Sequence, residues 1–295
     1  MNTMNSRKRY LISCMIFFFL LEVGCLHAQE RYRIAAVDLM MLKRQKIGAI
    51  PLAHQVGVDG LEIDMGGLGK RLTFDNQLLN DSLRNAFLQQ MSALNIECCA
   101  MSMSGYYAQS FCEREAFIPS IADCIKTMQL MNVKVGFLPL GVQCDLVKRP
   151  DLRDSVIARL KIVGTMASAA GVVIGIETAL DARAEKKLLK QVGSNAIKSY
   201  FNFSNALKNG RDLIRELKIL GKENIVQVHC TDDDGVLLKD NTRLNMKAVK
   251  QTLDKMGWSG WLVLERSRDA KEPNNVKKNF GSNAEFMKSI FQNKQ

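Results

Sequence analysis

The sequence predicts a single α/β domain, a (β/α)8 TIM barrel that follows a signal peptide. From residue 33 onward, short β-rich runs alternate with amphipathic helical segments without a break in composition. Parallel strands need such crossovers between them. Residues 29–295 also have a length close to the roughly 250 residues of a typical barrel of this kind. A doubly wound open sheet is the alternative, but no Gly-x-Gly-x-x-Gly fingerprint follows the first run.

The elements follow one another at regular spacing along the chain. Each predicted strand is a short apolar run, as expected for strands that are covered on both faces. The eight predicted strands are 34–40, 60–65, 96–103, 134–140, 172–178, 197–203, 225–231 and 261–266. Between them, apolar residues recur at helical spacing, most clearly over 81–94, 151–170 and 245–256. Three glycines are predicted to end helices, namely Gly193, Gly221 and Gly257.

Residues 1–28 are predicted to be a secretory signal peptide that does not belong to the fold. A positive segment at 7–9 precedes an apolar run at 11–21, and Ala28 offers a small residue for cleavage. The apolar run is too short to span a bilayer. The sequence therefore predicts a periplasmic or secreted protein. An uncleaved membrane anchor and a lipoprotein processed at Cys25 remain open as alternatives.

Charge and cysteine usage narrow the class of protein. The leader carries three basic residues and one acidic residue, so its removal takes the net charge from +11 to +9. The charges are dispersed as on solvated helix faces, and no basic run is paired with stacking aromatic residues. We expect no nucleic-acid partner and no membrane contact beyond the leader; the oligomeric state is unknown at this level.

Six of the eight cysteines follow the leader. An exported protein can pair some of them, but no CxxC motif occurs and we expect mostly free, buried thiols.

Polar side chains end the last four predicted strands. Glu177, Asn202, His229 and Glu265 each stand where an apolar run stops. In a parallel barrel these ends meet on one rim, where catalytic groups are found. Two carboxylates, one imidazole and one amide oxygen suit a divalent ion such as Mn²⁺, Co²⁺, Mg²⁺ or Zn²⁺. The sequence thus predicts a metal site formed by these four residues.

Short motifs at these strand ends resemble the xylose-isomerase-like barrel superfamily, often labelled sugar phosphate isomerase/epimerase. They are Gly-Leu-Glu-Ile at 60–63, Gly-Ile-Glu at 175–177, Val-His-Cys-Thr-Asp at 228–232 and Leu-Glu at 264–265. The resemblance extends over roughly residues 34–291. Two departures stand out. Thr231 replaces a lysine of the family's pattern, and Asn202 stands where the family usually has an aspartate. An asparagine brings no charge, so a metal would bind less tightly here or be absent.

The resemblance implies proton transfer at a carbon next to a sugar carbonyl, assisted by the divalent ion. In epimerase relatives the two metal glutamates exchange the roles of base and acid, and here they would be Glu177 and Glu265. The resemblance also implies substrate contacts from Asn205 and Asp232. Glu62 faces the barrel lumen if its strand alternates regularly, and we expect it to contact substrate.

Export favours a free sugar, an oxidised sugar or a glycoside as the small-molecule substrate. The chain also resembles exported members of the superfamily that act as 3-keto-glycoside 1,2-lyases. Isomerase, epimerase and lyase activities remain open as outcomes of one proton abstraction. A non-catalytic sugar-binding barrel with a decayed metal site is an alternative. The DNA-repair endonuclease branch of the superfamily builds its zinc site from many histidines, and only His54 and His229 follow the leader.

Overall fold

A computed structural model of the protein describes residues 31–292. The predicted leader, residues 1–28, lies outside the described residues. Within them, eight parallel strands close into a barrel in chain order, so that each strand pairs with its sequence neighbours and the last pairs with the first. The prediction of a (β/α)8 TIM barrel is confirmed.

Every strand starts within two residues of its predicted start, and every strand ends one to three residues before its predicted end. Their bounds are β1 Tyr32–Val37, β2 Gly60–Asp64, β3 Glu97–Ser102, β4 Val135–Pro139, β5 Val173–Glu177, β6 Ile197–Asn202, β7 Ile225–His229 and β8 Gly260–Leu264. The predicted runs were longer because the apolar character continues into the buried first residues of the loops.

Helices surround the barrel between successive strands. Their bounds are α1 Ala49–Val56, α2 Asp81–Ala93, α3 Phe117–Leu130, α4 Arg153–Ala169, α5 Ala182–Val192, α6 Phe203–Lys208, α7 Leu213–Leu220, α8 Met246–Met256 and α9 Val276–Phe291. The three predicted stop glycines, Gly193, Gly221 and Gly257, are the C-caps of α5, α7 and α8. No helix among residues 31–292 is long and apolar enough to cross a membrane.

The core lies in two parts because successive strand side chains point to opposite faces. The larger part fills the space between strands and helices. The smaller part fills the barrel interior and includes Ala35, Phe137, Tyr200 and Val263. A Cβ on Gly175 would lie 3.0 Å from the ring of Tyr200. The glycine therefore leaves space for this ring beneath the rim of the barrel.

One disulfide joins two loops on the rim that carries the strand ends. Cys112 follows β3, Cys144 follows β4, and their Cα atoms are 5.9 Å apart. The remaining cysteines that follow the leader, Cys98, Cys99, Cys124 and Cys230, are free, and all but Cys98 are buried. Four of the six thiols are therefore free as expected, and three of these four are buried.

Candidate active site

The four polar strand ends converge as predicted. Glu177, Asn202 and His229 are the last residues of β5, β6 and β7, and Glu265 follows β8 directly. Asn202 and His229 are register partners across β6 and β7. Between 1% and 6% of each residue is exposed. A cluster of this polarity at such burial must satisfy its hydrogen bonds internally.

Asn202 joins the two glutamates through its amide hydrogens. Its Nδ2 donates to Oε2 of Glu177 at 2.8 Å and to Oε2 of Glu265 at 3.2 Å. Its Oδ1 accepts from the backbone N–H of Ser204 at 2.9 Å. This last bond determines the orientation of the amide, because a turned amide would place its NH₂ group against another donor. The predicted metal ligand therefore presents hydrogens, and not its oxygen, to the carboxylates.

His229 lies between two carboxylates. Its Nδ1 is 3.2 Å from Oε2 of Glu177, and its Nε2 is 3.2 Å from Oε2 of Glu62. The same oxygen of Glu62 accepts a hydrogen bond from the hydroxyl of Tyr200 at 2.5 Å. Glu62 is 1% exposed and borders a small pocket of about 10 Å³ beside His229 and Glu265. The structure thus places Glu62 beneath the cluster as a partner of His229, and a substrate contact from Glu62 stays a prediction.

The two glutamates differ in protonation behaviour. Burial opposes the ionisation of Glu177, but hydrogen bonds and charge from His229 and the amide of Asn202 outweigh burial and lower its pKa. Burial raises the pKa of Glu265, and the nearby charge of Glu177 adds to that effect. Burial alone would lower the pKa of His229, but the charges of Glu62 and Glu265 raise it well above its usual value. Two carboxyls whose environments separate their pKa values are typical of an acid and base pair.

A cavity of about 340 Å³ opens above this cluster. Glu177, Asn202, Glu265 and the predicted substrate contact Asn205 all border it. The volume lies within the range of small-molecule sites. The sequence prediction of one shared site at the carboxyl ends of β5 to β8 therefore agrees with this arrangement.

Asp232 lies apart from the residues that border the cavity. It is 3% exposed, and its carboxylate accepts from the amide of Asn241 at 2.9 Å and lies 3.4 Å from Arg243. These contacts are those of a residue that holds the loop after β7. A substrate contact from Asp232 stays a prediction.

Several residues that border the cavity were not identified from the sequence. Among them are Tyr107, Lys208 and Arg266. Tyr107 comes from a short 3₁₀ turn after β3, and Lys208 ends α6. Neither residue belongs to a hydrophobic pattern or a sequence motif that would have predicted a place at the site. For Arg266 the signal was its place directly after a strand-end glutamate.

The donor types of Glu177, His229 and Glu265 suit a divalent ion, and the relevant atoms are close. Nδ1 of His229 is 3.2 Å from Glu177 and 3.9 Å from Glu265. In the described structure these donors bond to one another and to Asn202. No group of three or more His, Cys, Asp and Glu side chains within residues 31–292 stands in a metal-holding arrangement. The metal site therefore stays a prediction, and Asn202 could join it only by turning its amide.

The protein is a TIM barrel with a cavity at the carboxyl ends of its strands. A buried cluster of carboxylates and one histidine lies beneath that cavity. Within that class, the chain belongs to the family described as xylose isomerase-like TIM barrel, whose sequence profile matches residues 50–290. Comparison with curated protein sequences gives no significant match.

Solved structures with the same fold share little sequence with this chain. A xylose isomerase domain protein from Planctomyces limnophilus is 15% identical, with a TM-score of 0.63 over 89% of this chain and 98% of that one. D-psicose 3-epimerase from Clostridium cellulolyticum H10, solved with D-tagatose, is 14% identical, with a TM-score of 0.67 over 88% and 99%. The IolI protein with a bound zinc atom is 16% identical, with a TM-score of 0.64 over 88% and 100%. At these identities the likeness shows the fold alone.

Proposed function

We propose that this protein is a carbohydrate enzyme that moves a proton at a carbon next to a sugar carbonyl. One observation carries the proposal. Glu177 and Glu265 border the same cavity, both are buried, and the amide of Asn202 joins them while their pKa values move in opposite directions. The opposite directions favour Glu177 as the base and Glu265 as the acid, and both border the space for one substrate.

In the proposed reaction, Glu177 takes the proton from the carbon next to the carbonyl. Glu265 delivers a proton to the opposite side of the carbon or to a departing oxygen. His229, hydrogen-bonded to Glu177 and held by Glu62, orients the carboxylate of the base. Burial of the cluster excludes water and strengthens these interactions.

A divalent ion belongs to the proposal as a cofactor held by Glu177, His229 and Glu265. When bound, it would supply a positive charge that polarises the substrate carbonyl. The zinc atom in the IolI neighbour supports a metal in this fold. Asn202 adds no charge, so we expect weaker binding than in a site with a fourth ionised ligand.

The substrate that we propose is a free sugar, an oxidised sugar or a glycoside. A neighbour named D-psicose 3-epimerase supports a sugar. With a 3-keto-glycoside, loss of the C2 proton to Glu177 forms the C1–C2 double bond and breaks the bond from C1 to the aglycone oxygen. That oxygen takes a proton from Glu265. A 3-keto-glycoside 1,2-lyase, an isomerase and an epimerase thus share the first step.

Export to the periplasm or beyond is part of the proposal. The charged and apolar segments of residues 1–28 support it. The Cys112–Cys144 disulfide also supports it, because such bonds persist in oxidising compartments and are rare in the cytosol. Mass spectrometry of the purified protein should find an N-terminus near Gln29 and no intact Met1.

A non-catalytic sugar-binding barrel is the second candidate. The observation that favours it is the Asn202 amide, which lies between the two glutamates and satisfies them without a cation. Metal content separates the two candidates, since a decayed site should purify without a stoichiometric divalent ion.

The deciding experiment follows substrate hydrogen in D₂O. Incubation with a panel of keto-sugars and 3-keto-glycosides should introduce deuterium at the carbon next to the carbonyl, or release the aglycone. Glu177→Gln should abolish both signals. Absence of exchange and of release over the whole panel, with sugar binding intact, would refute the enzyme and favour the sugar-binding barrel.

A further inference from the structure

Arg266 presents hydrogen-bond donors that no described residue accepts. Its Nε lies 3.6 Å from Oε1 of Glu265, and its Nη1 lies 3.9 Å from Oδ1 of Asp233. Both distances exceed those of a hydrogen bond. The side chain is 37% exposed and borders the cavity of about 340 Å³. A guanidinium carries five N–H donors in a planar fork, so a group in this position is open to a ligand.

The neighbouring cations differ from Arg266 in this respect. Arg268, two residues further, donates from Nε at 3.0 Å and from Nη2 at 2.6 Å to the two oxygens of Asp234. Its fork is therefore occupied. Lys208 borders the same cavity, but its Nζ lies 2.8 Å from Asp233. Lys148 also borders the cavity, with its Nζ 3.7 Å from Oδ2 of Asp145, but an ammonium lacks the planar fork. Among the cations of residues 31–292 that border the cavity, Arg266 is thus the guanidinium, and its donors remain available.

A second donor borders the same cavity. Tyr107 is half-buried, and no described residue hydrogen-bonds to its hydroxyl. It lines both this cavity and the small pocket beside His229. A planar fork and a phenol that border one cavity suit an oxyanion, because such a group accepts several hydrogen bonds at once.

We propose that Arg266 and Tyr107 form a subsite for an anionic substituent of the substrate, the carboxylate of an oxidised sugar. The subsite lies beside Glu265, so a sugar held by its anionic group would extend over the Glu177 and Glu265 pair. This inference names the substrate class of the proposed function and rests on it. Arg266 acts here as a binding residue, and the proton transfer remains with the glutamates.

The test compares anionic sugars with their neutral parents by calorimetry on the mature protein. The probes are the uronates and the 6-phosphates of glucose, galactose and mannose, each with its parent sugar. At least one anionic sugar should bind about tenfold or more tightly than its parent, since charge-assisted bidentate bonds are the strong ones. The difference should shrink as salt is added. The uronates should show this preference, and a preference for the 6-phosphates alone would overturn the assignment to a carboxylate.

Two variants identify the residue responsible. Arg266→Gln should bring the anionic sugar to within about twofold of its parent, and Arg266→Lys should restore only part, because a lysine lacks the fork. Arg268→Gln is the matched control and should keep the full difference. Thermal denaturation checks that all three variants are folded.

Equal affinity for anionic and neutral sugars across the panel, or no binding of any, would overturn the subsite. A difference that survives Arg266→Gln would overturn the assignment to Arg266. Deuterium exchange on neutral keto-sugars tests the proton transfer separately. Deuterium exchange without a preference for anionic sugars would support the proton transfer and refute the subsite. A preference for anionic sugars without exchange would support the subsite and refute the proton transfer.

Discussion

Replacing Asn202 with aspartate would place a third carboxylate against two others. The amide nitrogen that it removes lies 2.8 Å from Oε2 of Glu177 and 3.2 Å from Oε2 of Glu265. The two side chains have nearly the same size, but the substitution replaces an NH₂ group that donates two hydrogen bonds with an oxygen that only accepts them. Without a cation, both glutamates lose a donor, and a like charge faces each of them.

The expected cost is large because the cluster is buried. Leaving buried charges uncompensated typically costs about 3–5 kcal/mol, and we expect Asn202→Asp to lower the free energy of unfolding at pH 7 by that amount. The new carboxyl should have a folded pKa above its unfolded value of about 3.9. Between the unfolded and the folded pKa, the folded state then binds more protons than the unfolded state. The stability of the variant therefore falls as pH rises through that interval. The variant should therefore be closer to the wild type at pH 5 than at pH 7.

A divalent ion should reverse this loss. Urea denaturation at pH 5 and pH 7, with and without Mn²⁺, measures both effects, and elemental analysis measures the bound ion. We expect Mn²⁺ to stabilise Asn202→Asp more than the wild type, since the added charge strengthens the site. Asn195→Asp, an exposed substitution with the same change in net charge, is the control. Equal stability of Asn202→Asp and wild type at pH 7 without metal would refute the amide bridge between the glutamates.

Three further outcomes test the site and the fold. Glu177→Gln and Glu265→Gln should each lower turnover by at least about 10² in protein that thermal denaturation shows to be folded; full turnover in either variant removes that residue from the proposed mechanism. Tyr200→Phe should lower the free energy of unfolding by about 1.5–3 kcal/mol, because the buried carboxylate of Glu62 loses a donor; an unchanged urea midpoint would contradict this contact. Replacing Cys112 and Cys144 together by serine should cost about 3–4 kcal/mol for a bond that spans 32 residues, whereas titration of six free thiols in the unreduced mature protein would show that the disulfide is absent.

Much of the architecture follows from local pattern. Alternation of apolar runs with amphipathic segments predicted eight parallel strands, and parallel strands of one barrel release their last residues on the same rim. This regularity is why Glu177, His229 and Glu265 could be assigned to one site across 88 residues of sequence. The convergence needs only strand order and a period of two, and both can be read from the chain.

The sequence by itself thus determined the barrel, the rim on which the polar residues meet and the residue types available for chemistry. The tertiary structure decided how those groups bond to one another. Glu62 became a partner of His229 because the ring of Tyr200 reaches it across the barrel interior, a contact between residues 138 positions apart. Asn202 turned its hydrogens to the glutamates because the N–H of Ser204 holds its oxygen. Tyr107 and Arg266 reached the cavity through loops. Side-chain orientation and loop position depend on contacts distant in sequence, which no local period encodes.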